Sequence, residues 1–231
     1  MAWAFDASSQ GSNNNTTSLT VSHTVGSGSD RVLYVFIASD DGTDDLAGTT
    51  VTYGGTSLGS PLTTVSNGGT NGLYIWRMIA PPSGTANIVA TAATNTYLSM
   101  IASSWTGIDQ ATPNGTIATA GTPGATSPRS LSATAATGGV VVDFLHRRAV
   151  SALTVDASQT RIGTELNAVV STSGSSYKAG SGSVAMVWTH ASGGGISTTH
   201  MAVPLNEASG GGGGGSAIAP ISNYYRMMRS A

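Results

Sequence analysis

Residues 17–58 combine two patterns that restrict the chain to a β fold. From residue 19 to residue 24, Leu, Val and His alternate with Thr and Ser, which is the period of a strand with one buried face. Turn-forming residues follow at 26–30, and residues 31–39 then contain the run VLYVFIA, which is rich in β-branched and aromatic side chains. A near-continuous apolar run of this length predicts a strand that is covered on both faces, or nearly so.

Two further apolar runs, LYIWRMIA at residues 73–80 and VVVDFLH at residues 140–146, have the same character. Between the runs, short alternating segments are separated by Gly, Pro, Asn and Ser, and no stretch of about 12 residues has a helical period with caps. The pattern predicts an all-β chain in which residues 1–208 form an antiparallel β-sandwich, jelly-roll-like in its topology. Five side chains from the three runs are expected in its core: Val35, Ile37, Ile75, Val141 and Phe144.

Two long segments are expected to be loops. Residues 8–17 read SSQGSNNNTT, which is polar and rich in turn formers. Residues 107–128 contain three prolines, so this segment is predicted to hold at most a short strand. The sequence has no exact internal repeat, and we therefore expect residues 1–208 to be one domain.

The composition argues against several classes of protein. Charged residues make up 9% of the chain, the formal net charge is −2 and there is no cysteine. The weak charge argues against a general nucleic-acid surface, and the lack of cysteine excludes disulfides and thiolate metal sites. No apolar run approaches the ~18–20 residues of a membrane span. We expect no signal peptide, because the N-terminal residues become polar at once.

The composition changes sharply at Ser209. Residues 209–216 include six consecutive glycines and are predicted to be a flexible linker. The next segment, residues 217–231, is rich in Tyr, Met and Arg, which are enriched in the cores of protein interfaces. We therefore predict that residues 217–231 are an anchor that binds a partner subunit. The expected partner-binding residues are Ile221, Tyr224, Tyr225, Arg226, Met227, Met228 and Arg229.

Four carboxylates lie close together in the sequence, at Asp40, Asp41, Asp44 and Asp45. Calcium prefers several oxygen ligands on a flexible loop, so this segment is a candidate calcium site. A regular calcium-binding loop also needs a distal glutamate, and none follows nearby. The preferred interpretation is a solvated acidic loop, and we predict no required cofactor.

Two segments match the residue pattern of a catalytic motif but lack the secondary structure that the motif requires around it. Residues 55–59 fit the Gly-x-Ser-x-Gly pattern, and residues 175–178 fit Ser-x-x-Lys. A nucleophile elbow needs a buried parallel strand before it and a helix after it, so in an all-β chain Ser57 is predicted to lie in a turn. No nucleophile, base and orienting group can be assembled from the sequence, and we predict that the protein is not an enzyme.

The histidines and tryptophans also have structural interpretations. No two of the four histidines have the His-x-x-x-His spacing, so a zinc site would have to be assembled from distant strands. The tryptophans are expected to pack in the core or across strands, and the alternative is one exposed ring that stacks on a sugar. They are Trp3, Trp76, Trp105 and Trp188.

Residues 17–109 contain four strings in order: LTVSHTVGSGSDRVLYVFIAS, VTYGGTSL, LYIWRMIAPPSGTANIVATA and SSWTGID. This series resembles β-sandwich modules of tailed-phage virion proteins and of bacterial surface proteins. In those modules a DRVLVV strand precedes VTYGG, and a strand ending of the PPSGTANV type follows. The resemblance covers less than half of the chain and implies a β-sandwich.

The resemblance also implies a role. We expect a non-enzymatic structural component of a phage-like virion, either a capsid decoration or a head-attached spike or fibre protein. The expected partners are other virion proteins, the expected state is a homo-oligomer, and the expected location is the virion, assembled in the host cytoplasm. The alternative is a receptor- or glycan-binding module of a tail fibre or surface adhesin, with a host-surface glycan as its partner. Neither role involves nucleic acid or a membrane.

Overall fold

The computed structural model describes residues 2–40, 46–67, 71–191 and 196–209. The regular structure of these residues consists of antiparallel β-strands in several packed sheets, which confirms the predicted all-β class and a sandwich architecture. Within the described ranges, no helix is long and apolar enough to cross a membrane.

The first nine strands precede residue 107 and are β1 Ala4–Ser12, β2 Thr16–Val25, β3 Val32–Ser39, β4 Thr50–Tyr53, β5 Thr56–Ser57, β6 Thr63–Ser66, β7 Gly72–Ile79, β8 Gly84–Thr96 and β9 Leu98–Thr106. The later strands are β10 Ala118–Ala125, β11 Arg129–Ala135, β12 Val140–Arg147, β13 Leu153–Val155, β14 Thr160–Asn167, β15 Thr172–Ala179, β16 Gly182–His190 and β17 Ile196–Leu205.

These strands form four antiparallel sheets. In the first half of the chain, strands β1-β9-β3-β7-β6 form the inner N sheet, and strands β2-β8-β4-β5 form the outer N sheet. In the second half, strands β10-β17-β12-β15-β14 form the inner C sheet, and strands β11-β16-β13 form the outer C sheet. Each inner sheet packs on the outer sheet of its own half, so the chain contains an N sandwich and a C sandwich.

The two sandwiches have the same topology. If the two-residue strand β5 is set aside, β1–β4 correspond in order and pairing to β10–β13, and β6–β9 correspond to β14–β17. In the N sandwich, Val32 begins β3 and pairs with Trp105 of β9. In the C sandwich, Val140 begins β12 and pairs with Leu205 of β17. The single sandwich that we expected for residues 1–208 is therefore a structural repeat of two sandwiches.

The sandwiches stack through their inner sheets, so the layers run outer N, inner N, inner C, outer C. The central core between the inner sheets includes Phe36 and Phe144, which occupy corresponding positions and stack with ring centroids 5.4 Å apart. Strand β1 contacts β14 as β10 contacts β6, and β9 contacts β15 as β17 contacts β7. Because exchanging the halves reproduces this set of contacts, a local two-fold axis relates the sandwiches, as in an isologous dimer.

Stacking explains why the apolar runs are nearly continuous. In β3, Val35 and Ile37 face the core of the N sandwich, whereas Tyr34 and Phe36 face the central core. Both faces of an inner strand are therefore buried from solvent, and a polar residue on either face would need a buried hydrogen-bond partner. The core prediction is confirmed, since Val35, Ile37, Ile75, Val141 and Phe144 are all fully buried.

Two segments that we expected to be loops contain strands. Strand β1 continues to Ser12 and pairs with β9, so residues 8–12 are not a loop. Strand β10 lies within residues 107–128 and pairs with β17. Both are edge strands whose contacts with the other sandwich outweigh their weak β propensity. At Gly121, a Cβ atom would lie 2.5 Å from the Ser66 carbonyl oxygen of β6, so glycine permits the close approach of the sandwiches.

Truncation of the two stacked phenylalanines tests the central core. Phe36→Ala and Phe144→Ala each remove a fully buried ring, and each is expected to lower the free energy of unfolding by about 3–5 kcal/mol. Because the rings touch, the effects of the two substitutions should not simply add in the double variant. Chemical denaturation measures these changes. Leu62→Ala, at a side chain that is 38% exposed, is the control and should change stability by less than about 0.5 kcal/mol. A Phe144→Ala protein as stable as this control would contradict the assigned core.

Candidate functional site

The predicted partner-binding residues lie outside the described residues; they are Ile221, Tyr224, Tyr225, Arg226, Met227, Met228 and Arg229. The structure does locate the place where the chain leaves the C sandwich. There, the Ala208 N–H donates to the Gly107 carbonyl oxygen at 2.8 Å. The Asp109 N–H donates to the Asn206 carbonyl oxygen at 2.9 Å. We call this end of the molecule, where β9 and β17 finish, the exit pole.

The opposite end of the molecule, which we call the far pole, carries exposed apolar side chains. Strand β12 runs from the exit pole to the far pole, and its eight residues span roughly 26 Å. Val150 and Val169 are 58% and 59% exposed, and Val170 is 37% exposed. The turns that carry them are adjacent, because the Ser151 N–H donates to Oγ1 of Thr172 at 3.1 Å. The molecule therefore has two chemically different ends.

Asp40, one of the four candidate calcium ligands, lies at the far pole and is only 1% exposed. Its Oδ1 lies 3.1 Å from Nε of Arg148, and its Oδ2 lies 3.8 Å from Nε2 of His146. Asp40 follows β3 as Arg148 follows β12, so the ion pair joins corresponding positions of the two sandwiches. The solvated-loop interpretation is therefore wrong for Asp40, since burial and an ion pair hold this carboxylate between the sandwiches.

The other three candidate calcium ligands, Asp41, Asp44 and Asp45, lie outside the described residues. For these three residues the solvated-loop prediction stands untested, and so does its calcium-binding alternative. Within the part of the chain that the structure describes, no group of three or more His, Asp and Glu side chains is placed to share a metal ion.

His146 stands beside this ion pair in the central core and is fully buried. Its Nδ1 lies 2.9 Å from Oγ of Ser173. Burial lowers the pKa of His146 to about 3, because the charged imidazolium would lose its hydration in the core. The imidazole is therefore neutral at neutral pH, although Asp40 and Arg148 are close to it.

The pKa of His146 predicts that the protein loses stability in mild acid. Between about pH 6.5 and pH 3 the unfolded chain binds a proton at this residue and the folded chain does not. The free energy of unfolding should therefore fall by about 1.4 kcal/mol for each pH unit below 6.5 through this one group. Urea denaturation at several pH values measures the slope, and His146→Gln should make it shallower by that amount. Parallel curves for the wild type and His146→Gln would refute the assignment.

A second buried polar group centres on Asp143 in the core of the C sandwich. Its Oδ1 accepts hydrogen bonds from the backbone N–H and Oγ of Ser176, at 3.0 and 2.6 Å. Its Oδ2 accepts from Nε1 of Trp188 at 2.6 Å and lies 2.8 Å from Nε2 of His200. Because Ser176 donates to Asp143 and not to His200, these residues do not form the serine–imidazole–carboxylate relay of a hydrolase. The arrangement instead satisfies a buried carboxylate from four donors.

In the N sandwich, the positions that correspond to this polar network carry apolar side chains. Val35 corresponds to Asp143, Trp76 to Ser176, Ala90 to Trp188, and Met100 to His200. One sandwich therefore places its tryptophan on the inner sheet and the other on the outer sheet. Sequence analysis missed this network, and its one visible signal was the aspartate within the apolar run at residues 140–146.

Removing the carboxylate of Asp143 alone should lower the free energy of unfolding more than replacing four residues of the network together. Asp143→Ala leaves buried donors without an acceptor and is expected to lower the free energy of unfolding by about 3–5 kcal/mol. The fourfold variant with the N-sandwich residues, Asp143→Val, Ser176→Trp, Trp188→Ala and His200→Met, should be more stable than Asp143→Ala. Its remaining cost is Nε2 of the buried Gln159, which loses the Ser176 hydroxyl that it donates to at 2.8 Å. Denaturation curves of both variants decide the matter. A fourfold variant that is less stable than Asp143→Ala would show that the two cores are not interchangeable.

The remaining motifs have structural roles. Gly54 and Gly55 form the turn between β4 and β5, and Oγ of Ser57 accepts from the Gly59 N–H at 3.1 Å. Ser57 itself is an exposed residue of the two-residue strand β5, so the elbow-like motif belongs to a β-hairpin.

The four histidines are all buried, at positions 23, 146, 190 and 200.

The tryptophans pack against other residues, as we predicted. Trp76, Trp105 and Trp188 are fully buried. The partly buried Trp3 packs against Trp105, with ring centroids 6.1 Å apart, and its Nε1 donates to the Gly138 carbonyl oxygen at 2.7 Å. The sugar-stacking alternative therefore has no fully exposed tryptophan to use.

Comparison with known proteins adds no assignment: no family model, curated protein or solved structure matches this chain.

Proposed function

We propose that the protein is a non-enzymatic structural component of a phage-like virion, a capsid decoration or a head-attached spike or fibre protein, and that residues 217–231 attach it. The exit pole carries this proposal. The chain leaves a tightly packed body at one defined end, and a glycine linker then leads to a segment with the composition of an interface core.

The architecture of the body supports this role. The strings that resemble virion β-sandwich modules lie in residues 17–109, and this range covers β2 to β9 of the N sandwich. The C sandwich repeats the topology of the N sandwich. If the N sandwich is such a module, as we propose, the chain is a tandem pair of them. A shared central core ties the pair into a single rigid body, which suits a protein displayed on a particle surface.

The linker explains how modest contacts would suffice for attachment. Once the exit pole touches a particle, the tethered segment binds at a high effective concentration, and weak contacts of the body and of the segment reinforce each other. Tyr, Met and Arg side chains supply the contact area and the hydrogen bonds that such an interface needs.

The far pole supports a second candidate, a receptor-binding module of a fibre or adhesin. Val150, Val169 and Val170 expose apolar surface at the end opposite the exit pole. In an attached protein this end would point away from the particle, where a host receptor is met.

Ending the chain at Ser209 tests the attachment. The truncated protein should keep the melting temperature of the full-length protein, because the described strands all precede this residue. It should also lose stable attachment, which co-sedimentation with the source particles measures. Equal co-sedimentation of the truncated and full-length proteins would refute the proposal. Binding of the truncated protein to host cells would favour the receptor-binding candidate.

A further inference from the structure

A difference between the two sandwiches reveals a cleft at one corner of the C sandwich. In the N sandwich, His23 of β2 is 1% exposed and its Nδ1 lies 3.0 Å from Oγ of Ser9 in β1. The imidazole fills the space between the inner and outer sheets at this edge.

The corresponding space in the C sandwich is not filled. Val25 pairs with Gly84, and Ala135 pairs with Gly182, so His23 corresponds to Ala133. Likewise Ser9 corresponds to Ala118, since they pair with corresponding residues of β9 and β17. Two small side chains thus replace a histidine and its partner. A cleft of about 480 Å³ lies there, lined by Thr116, Ala118, Ser132, Ala133 and Thr134.

The cleft runs along the edge of the outer C sheet. Within the described residues, β11 pairs with β16 on one side, and its other side faces the cleft. An edge strand presents backbone donors and acceptors to any chain that lies beside it. The cleft therefore combines backbone hydrogen-bonding groups, three hydroxyls and a small apolar floor. Its volume is within the range of about 300–1,000 Å³ for specific binding pockets.

The cleft lies close to the exit pole. Ala118 pairs with Ala202, and the Gly115 N–H donates to the Pro204 carbonyl oxygen at 3.0 Å. The segment from Pro204 to Ser209 has five residue-to-residue steps and extends about 17 Å at most. The linker from Ser209 to the start of segment 217–231 has a mean end-to-end distance of roughly 14–17 Å. The linker is therefore long enough to bring segment 217–231 back toward the cleft, and tethering then raises its effective concentration there.

Charged side chains of both signs lie near the cleft. Asp109 and Glu207 lie at the exit pole, where the Ile108–Glu207 bridge and the Asp109–Asn206 hydrogen bond hold them. Segment 217–231 carries Arg226 and Arg229 and no acidic residue. Asp109 and Glu207 would attract these arginines, whereas Arg31 at the same pole and Arg77, which donates to Oδ1 of Asn114, would repel them.

We propose that the cleft is the docking site of the chain's own segment 217–231, with Tyr224 or Tyr225 in the space that His23 occupies in the N sandwich. In the free protein the docked segment shelters its aromatic side chains. A partner surface must displace it before attachment. The docking itself concerns the free protein and is independent of the proposed virion role; only its displacement by a partner surface rests on that role.

Disulfide trapping in the full chain tests the docking, because the protein has no cysteine of its own. Ser132→Cys at the cleft is combined with Tyr224→Cys or Tyr225→Cys in the segment. Under mild oxidation one of these pairs should form a disulfide within a monomer, seen by gel and by mass spectrometry. Thr20→Cys, on the exposed face of β2, is the matched control with the same segment cysteines. Trapping no faster than the control overturns the proposal, and disulfide-linked dimers overturn it in favour of a second copy.

A cleft-filling variant gives an independent readout. Ala133→His with Ala118→Ser rebuilds the N-sandwich pair and should expel the segment. Trypsin cleaves after Arg226 and Arg229, and it should act about tenfold faster on this variant if docking is about ten to one in the wild type. Thr20→His should leave the rate unchanged. Equal rates in all three proteins overturn the proposal. Particle attachment of the cleft-filled variant is measured separately, because it should persist whether or not the segment docks.

Discussion

The central core between the two inner sheets is the contact on which the rest of the molecule depends. It buries a second face of each inner sheet, and the outer sheets already bury the first. Strands β3 and β12 are consequently dry on both sides, which few antiparallel strands are. Stacking of Phe36 on Phe144 places corresponding positions of the two sandwiches against each other. The same symmetry sets the order of the layers and brings the edge strands β1 and β10 against the opposite sandwich.

The two sandwiches share one topology but carry different side chains at corresponding positions. Position 40 carries an aspartate and the corresponding position 148 an arginine, so their ion pair crosses the interface between the sandwiches. Such a pair needs two different residues at equivalent places, which a dimer of identical chains cannot supply. Within the C sandwich, Asp143 and His200 replace the apolar Val35 and Met100, and every donor around Asp143 is used internally.

The two poles divide the surface into regions of different character. The exit pole combines the departing chain, charged side chains of both signs and the cleft beside β11. The far pole combines exposed valines with the buried Asp40–Arg148 pair. A body held rigid by a shared core keeps these regions at a constant separation. If the protein is attached at the exit pole, as we propose, the far pole is the end that it presents.

The sequence alone determined the fold class, because alternation and apolar runs report the burial of each strand face directly. It also marked the change in composition at Ser209, where six consecutive glycines predict a linker without any tertiary context. The run at residues 32–38 even indicated double coverage, although the covering layer was a second sandwich of the same chain.

The tertiary structure decided the remaining features, because each of them depends on which residues, distant in the sequence, come into contact. The structural repeat is not visible as a repeat of identical residues, because burial requires only apolar side chains of suitable size. Edge strands β1 and β10 have loop-like compositions and are strands because of their partners. Asp40 belongs to a buried ion pair only because the second sandwich places Arg148 beside it. The cleft exists because alanines stand where the first sandwich has a histidine and a serine, and only the common topology makes those positions equivalent.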